Sequence, residues 1–378
     1  MLYYLHELTE FFPPLRIFRY ITFRALCAAG TAFLLSLMLG KTIIGMLKAL
    51  KVGQPVRISD SRTLYELHGG KAGTPTMGGL MIILTVTVST LLWAVPTNGY
   101  VLITLATMLV TGAIGFFDDY LKVTKRHSKG LGARAKLGYQ VLWAVIAVGL
   151  LYAWGPSRAH VSQLMVPFMK DPLVQDLSVV GTLLFAALVL TGSTNAVNLT
   201  DGLDGLAIGC TNAAAVAYLI LSYVAGHALF ANYLQVPFIA GSGELAVLSG
   251  ALLGAGMGFL WFNCHPAKVF MGDTGSLALG GVIAMIAICI KQELLLVIVG
   301  GVFVMEAASV IIQVISFKLT GRRVFLCSPL HHHFEFREKA KAEREKRDLE
   351  VVETMITTRF WILAIVFALL GIATLKIR

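Results

Sequence analysis

Charge is scarce in this chain. Of its 378 residues only 14% are charged and 57% are apolar, against roughly 25% and 45–50% in an ordinary soluble domain. That shortage excludes a water-soluble globule. The net charge of +10 and a pI near 9.4 would otherwise point to nucleic acid. Such a reading needs a basic face on a soluble fold, and a mean hydropathy of +0.77 leaves no room for one. No nucleic-acid partner is expected. Cysteine is sparse too: Cys27, Cys210, Cys264, Cys289 and Cys327 show neither a C-x-x-C pair nor a pairing pattern. Neither a disulfide framework nor a zinc finger is implied.

Long apolar stretches are what the sequence has in quantity. A membrane-crossing helix needs roughly 20 predominantly apolar residues. Ten stretches qualify: 20–40, 77–95, 99–117, 137–154, 178–192, 205–225, 244–263, 274–290, 294–317 and 359–377. Most loops between them are short. The expected fold is therefore an all-α integral membrane protein, a bundle of ten transmembrane helices forming one polytopic domain over residues 1–378. A charged insertion occupies about 335–355.

An even number of spans puts both termini on one side, and lysine and arginine decide which. With the termini outside, the inward loops hold 22 Lys/Arg, whereas the interior outward loops hold three, Arg158, Lys170 and Lys291. Arg16, Arg19 and Arg24 oppose this orientation and resemble the n-region of a signal peptide. The larger asymmetry prevails, so both termini are expected to be periplasmic.

With only 21 acidic residues, their positions carry information. Those in Glu335–Glu353 lie in a run of mixed charge and read as a solvated helix. Five others converge on the inward mouth: Asp118 and Asp119 close the third span, Asp201 and Asp204 open the sixth, and Asp273 opens the eighth. Carboxylates beside hydrocarbon are costly and mark function. Asp118 and Asp119 sit where a helix dipole disfavours anions, and Lys122, Lys125 and Lys129 follow on one helical face. Adjacent aspartates point about 100° apart, so the two are expected to have different roles.

Asn195, Asn198, Asp201, Gly202, Asp204 and Gly205 form a polar segment expected as a loop ahead of a helix, and Met271-Gly-Asp273-Thr-Gly repeats the design. Mg²⁺ takes one or two carboxylates together with substrate phosphates. Acids for Mg²⁺, lysines for phosphate and asparagines for sugar or base describe a phosphoryl-transfer site at a membrane surface. The internal run His331, His332 and His333 reads as a phosphate or acid/base group, a zinc ligand or a solvated loop. Glu306, mid-span, is either functional or paired with a neighbouring helix.

Seven segments carry a family resemblance: GTPTMGG (73–79), GFFDDYLK (115–122), NAVNLTDGLDGLA (195–207), GFLWFN (258–263), FMGDTGSLALGG (270–281), GGVFVMEAASV (300–310) and PLHHHFE (329–335). Together they resemble the polyprenyl-phosphate N-acetylhexosamine-1-phosphate transferases. The triple histidine and the NLTDGLDGLA run favour the muramoyl-pentapeptide branch. The charged run after His333 is longer than is usual there, and it lies outside the motifs.

The resemblance implies a multi-pass enzyme of the bacterial inner membrane that joins UDP-MurNAc-pentapeptide to undecaprenyl phosphate, giving lipid I and UMP, and it is compatible with a homodimer. It implies that Asp273 binds Mg²⁺, with Asp118 a second candidate ligand. Asp118 would act on the lipid phosphate as base or orienting group, with Asp119 in support. Lys71, Asn195, Asn198, Asp201, Gly202, Asp204, Asn263 and Phe270 would hold the donor. Lys122, Lys125 and the three histidines would meet phosphates or sugar. The acceptor phosphate is largely a dianion at neutral pH, since its second pKa is near 6, so direct in-line attack is expected. A covalent aspartyl intermediate is the alternative. The rival readings are a sister transferase for UDP-GlcNAc and a secondary transporter. The latter would place its charge at the midplane within inverted repeats, and no repeat is found.

Overall fold

A computed structural model describes residues 1–50, 73–124, 130–345 and 349–376. Among them the chain is helical apart from turns, irregular connections and isolated bridge residues, such as the pair Leu164 and Val174. The principal helices are α1 (Ile21–Ala49), α2 (Gly79–Trp93), α3 (Gly99–Thr124), α4 (Ala133–Ala153), α5 (Ser178–Thr200), α6 (Leu206–Ala225), α7 (Glu244–Asn263), α8 (Gly272–Cys289), α9 (Gly301–Thr320), α10 (Leu330–Arg344) and α11 (Glu350–Ala373).

Among the described residues nine helices are long and apolar enough to cross a membrane. The expected span at 77–95 forms α2, which is apolar but only 15 residues long. α8 lies at the centre, its apolar window 94% buried, whereas that of α9 is 22% buried. α3, α5, α2 and α6 surround α8. In lipid there is no hydrophobic drive between helices, so close packing of small residues must supply the attraction. Gly115 of α3 shows how: a Cβ there would lie 2.1 Å from the Asp273 carbonyl oxygen. That backbone approach sets Asp118 and Asp119 beside the start of α8.

Several boundaries differ from expectation. α3 continues to Thr124, so Asp118 and Asp119 lie within its last turns rather than at its end. α5 runs to Thr200, and Asn195 and Asn198 are helical instead of in a loop. Thr191, Thr194, Asn195 and Thr200 each donate to the carbonyl four residues back, which lets polar residues remain in a helix. α11 begins well before the expected 359. The solvated-helix reading of 335–353 fails at both ends, because Glu335 and Glu353 are buried.

Away from the acids, a second set of charges ties the bundle. Arg24, read from sequence as a flanking cation, is buried and forms a bidentate pair with Glu244 of α7 at 2.6 and 2.7 Å. Lys291 is similarly buried against Glu293 at 2.5 Å. Charges withdrawn from water persist when paired in this way.

Candidate active site

The acids of α3 and α8 form one cluster. Carboxylate oxygens of Asp118, Asp119 and Asp273 all lie within 4.8 Å of one another. Asp118 is buried; its Oδ2 is 2.6 Å from Lys122 Nζ, and its Oδ1 accepts from the Leu131 N–H at 2.7 Å. Asp119 points elsewhere. It accepts from the Asp273 N–H at 3.2 Å, the Thr274 N–H at 2.9 Å and the Thr274 hydroxyl at 2.8 Å. Those are N–H groups that the first turn of a helix leaves unpaired. Asp119 therefore caps α8 from another helix, and the 100° offset between neighbours is what separates the two tasks.

Asp273 is the hub. Its Oδ2 accepts from Lys136 at 2.6 Å and Lys122 at 3.0 Å, and its Oδ1 from the Asn198 amide at 2.8 Å. Asn198 also donates to Ser276 Oγ at 2.8 Å. Three carboxylates so close would repel strongly in a low-dielectric setting, and the two ammonium groups offset that repulsion. Lys136, at the start of α4, had no sequence signal beyond its membership of the inward cations. Only the return of the chain after residue 130 brings it here.

Of the donor candidates, Asp201, Gly202 and Asp204 occupy the turn between α5 and α6. Burial pushes the Asp201 carboxyl up to about 8, and the negative charges of Asp273, Asp119 and Asp204 add to the rise. Asp204 Oδ2 accepts from the Ala267 N–H at 3.0 Å and faces His265 Nδ1 at 3.2 Å. Asn263 bridges two segments, accepting from the Gly205 N–H at 3.1 Å and donating to the Val269 carbonyl at 2.9 Å. Phe270 is half-buried, and its main chain pairs with the GTPTMGG segment: its N–H donates to Pro75 O, and its carbonyl accepts from Gly78 N, both at 2.8 Å. Asn195 is not brought to the cluster; its amide donates to Gln140 Oε1 of α4 at 2.9 Å. Lys71 and Lys125 lie outside the described residues.

The three histidines are not brought to one point. They fall in the first turn of α10, where successive side chains diverge. His331 is buried, and its N–H and Nδ1 lie 3.2 and 3.1 Å from Glu306. Its Nε2 has no hydrogen-bond partner and faces Gly202, where a Cβ would lie 2.1 Å away. Burial holds the His331 imidazole below its ordinary pKa, with Glu306 opposing. His332 Nδ1 turns to Glu335 at 2.9 Å, and the Leu326 N–H donates to His333 Nδ1 at 3.2 Å. Glu335 is pulled down to about 2: burial would raise it, but hydrogen bonds from His332 and Lys339 outweigh that. Glu306 thus has a partner that sequence reading could not supply.

Residues 101–291 match the model of glycosyl transferase family 4. Two curated proteins named phospho-N-acetylmuramoyl-pentapeptide-transferase align over the full length of both chains. One, from Methylacidiphilum infernorum (isolate V4), is 48% identical; the other, from Rhodopseudomonas palustris (strain BisA53), is 49% identical. The chain belongs to the phospho-N-acetylmuramoyl-pentapeptide-transferase family. Residues 71–83 match that family's first signature. In this member of the family the signature covers Lys71 and the segment paired with Phe270, while the family 4 match covers every residue of the acid cluster. The histidines and Glu306 fall beyond both.

Proposed function

We propose that the chain transfers phospho-MurNAc-pentapeptide from UDP-MurNAc-pentapeptide to undecaprenyl phosphate, releasing UMP and forming lipid I. The observation that carries this reading is the convergence on Asp273: two lysines and Asn198 on its carboxylate, with Asp118 and Asp119 alongside. The site lies at the cytoplasmic face of the bacterial inner membrane. There α2 completes ten spans, both termini are periplasmic, and the cation-rich loops face the cytoplasm.

The donor set fits Mg²⁺, because it is made only of carboxylate oxygens gathered within 4.8 Å and hard cations choose such ligands. Asp273 and Asp118 would hold the ion, which neutralises charge on the transferring pyrophosphate when bound. Lys122 and Lys136 exchange their carboxylate partners for phosphate oxygens and stabilise the departing UMP. Asp201, Asp204, Asn198 and Asn263 surround the nucleotide, with Phe270 stacking on uracil; the family resemblance adds Lys71 to the residues that hold it. Asp119 keeps the start of α8 in register.

The acceptor phosphate needs little proton removal, so a single in-line displacement suffices, and Asp118 orients the attacking oxygen. The test is UMP release by purified protein with undecaprenyl phosphate and Mg²⁺, comparing UDP-MurNAc-pentapeptide with UDP-GlcNAc. Release with the first supports the reading; release only with the second refutes it.

A further inference from the structure

One face of the last helix grips the turn that carries Asp204. Glu353 Oε1 accepts from the Asp204 N–H at 2.9 Å, the Thr357 hydroxyl donates to the Asp204 carbonyl at 3.4 Å, and Trp361 Nε1 donates to the Gly205 carbonyl at 3.1 Å. Positions 353, 357 and 361 are spaced i, i+4, i+8, which makes one stripe on a helix. Glu353, Thr357 and Asp204 are all buried.

The turn is also held by α7 and the segment after it. Asn263 takes the Gly205 N–H, while His265 and the Ala267 N–H meet the Asp204 carboxylate. The N–H groups of Asp204 and Gly205 are thus spent on side chains of α11 and α7. His265 Nδ1 also lies 3.6 Å from Glu353 Oε2, so the carboxylates of Asp204 and Glu353 share that imidazole.

We propose that Glu353 is a positioning residue for the donor nucleotide, acting through Asp204, with Thr357 and Trp361 completing the clasp. The proposal rests on the reading of Asp204 as a nucleotide contact. A binding side chain must be held within about 0.5 Å of its productive position, and neighbouring hydrogen bonds do that holding. Removing the Glu353 carboxylate leaves a buried N–H without an acceptor next to the Asp204 side chain, and the turn relaxes. The acid cluster around Asp273 is tied down by other residues, so donor binding weakens and the chemical step does not.

The test uses the full-length protein in detergent, with UMP release measured against donor and against acceptor concentration. Glu353→Ala is expected to raise the donor KM about tenfold, the size expected for leaving a buried donor unsatisfied. It leaves kcat within about threefold and the acceptor KM unchanged. Glu353→Gln keeps an acceptor for the Asp204 N–H and restores the donor KM to within about twofold of wild type. An unchanged donor KM in Glu353→Ala overturns the proposal, as does a loss confined to kcat or a Gln variant as impaired as Ala.

If Glu353→Ala does not fold, Thr357→Val and Trp361→Phe each remove one bond of the clasp, and a donor KM unchanged in both is equally contrary. Direct UMP binding separates this proposal from the functional reading. Wild type that binds UMP but turns over neither donor contradicts the reading alone. Equal UMP affinity in wild type and Glu353→Ala contradicts the clasp alone.

Discussion

Lys136 Nζ lies 2.6 Å from Oδ2 of Asp273, a pairing across 137 residues that puts a second ammonium on the same carboxylate oxygen as Lys122. Neither lysine is placed to neutralise Asp273 alone; both also approach Asp118, at 3.7 and 2.6 Å. The four side chains form one charge array, to which the proposed function assigns the pyrophosphate.

Lys136→Ala removes half of the positive charge at the hub. A fall in kcat/KM of roughly 10²–10³ is expected, the size measured when one preorganised donor to a developing anion is lost. Steady-state UMP release checks it, and a change smaller than about threefold would show that Lys136 only balances charge.

Asp118 and Asp119 should separate in stability as well as in rate. Asp119→Ala strips the acceptor from three donors at the start of α8, an expected loss of about 2–4 kcal/mol. Asp118→Asn relieves carboxylate repulsion within the cluster and should leave the melting temperature equal or higher while lowering activity. Thermal unfolding of both variants in detergent decides this. Equal destabilisation would contradict the division of roles.

Burial keeps His331 neutral by holding its pKa below the unfolded value of 6.5. The unfolded chain then binds more protons over that interval, so the stabilisation is complete above about pH 6.5 and is lost as pH falls toward the folded value. The melting temperature should therefore drop between about pH 7.5 and 5.5, and His331→Gln should flatten that slope. Parallel slopes for the two proteins would refute the assignment.

A single displacement leaves no covalent enzyme intermediate. With UDP-MurNAc-pentapeptide and Mg²⁺ but no acceptor lipid, UMP should not appear in a burst stoichiometric with enzyme, and the intact mass of the protein should not change. A phospho-MurNAc adduct on Asp118 or Asp119 would overturn the in-line route.

Much of this was legible in the sequence. Hydropathy marks the spans because lipid demands long apolar helices, and Asp118, Asp119, Asp201, Asp204 and Asp273 stand out because carboxylates there are rare. The different tasks of Asp118 and Asp119 follow from helical geometry alone. What sequence could not supply are the tertiary partners. Lys136 looks like any inward cation until the chain returns past Leu131 and sets it on Asp273. Glu306 finds His331, and Glu353 finds Asp204, only after distant helices pack. The histidines have separate partners for a local reason: a helix starting at Leu330 sends three consecutive side chains to three different places.

In the proposed function the Asp273 cluster carries out the transfer. The most direct measurement is UMP release from UDP-MurNAc-pentapeptide by Asp273→Ala, at saturating Mg²⁺ and undecaprenyl phosphate, with unfolding curves confirming a native fold. A fall of at least about 10³-fold relative to wild type is expected. A folded Asp273→Ala variant that releases UMP at the wild-type rate would contradict it.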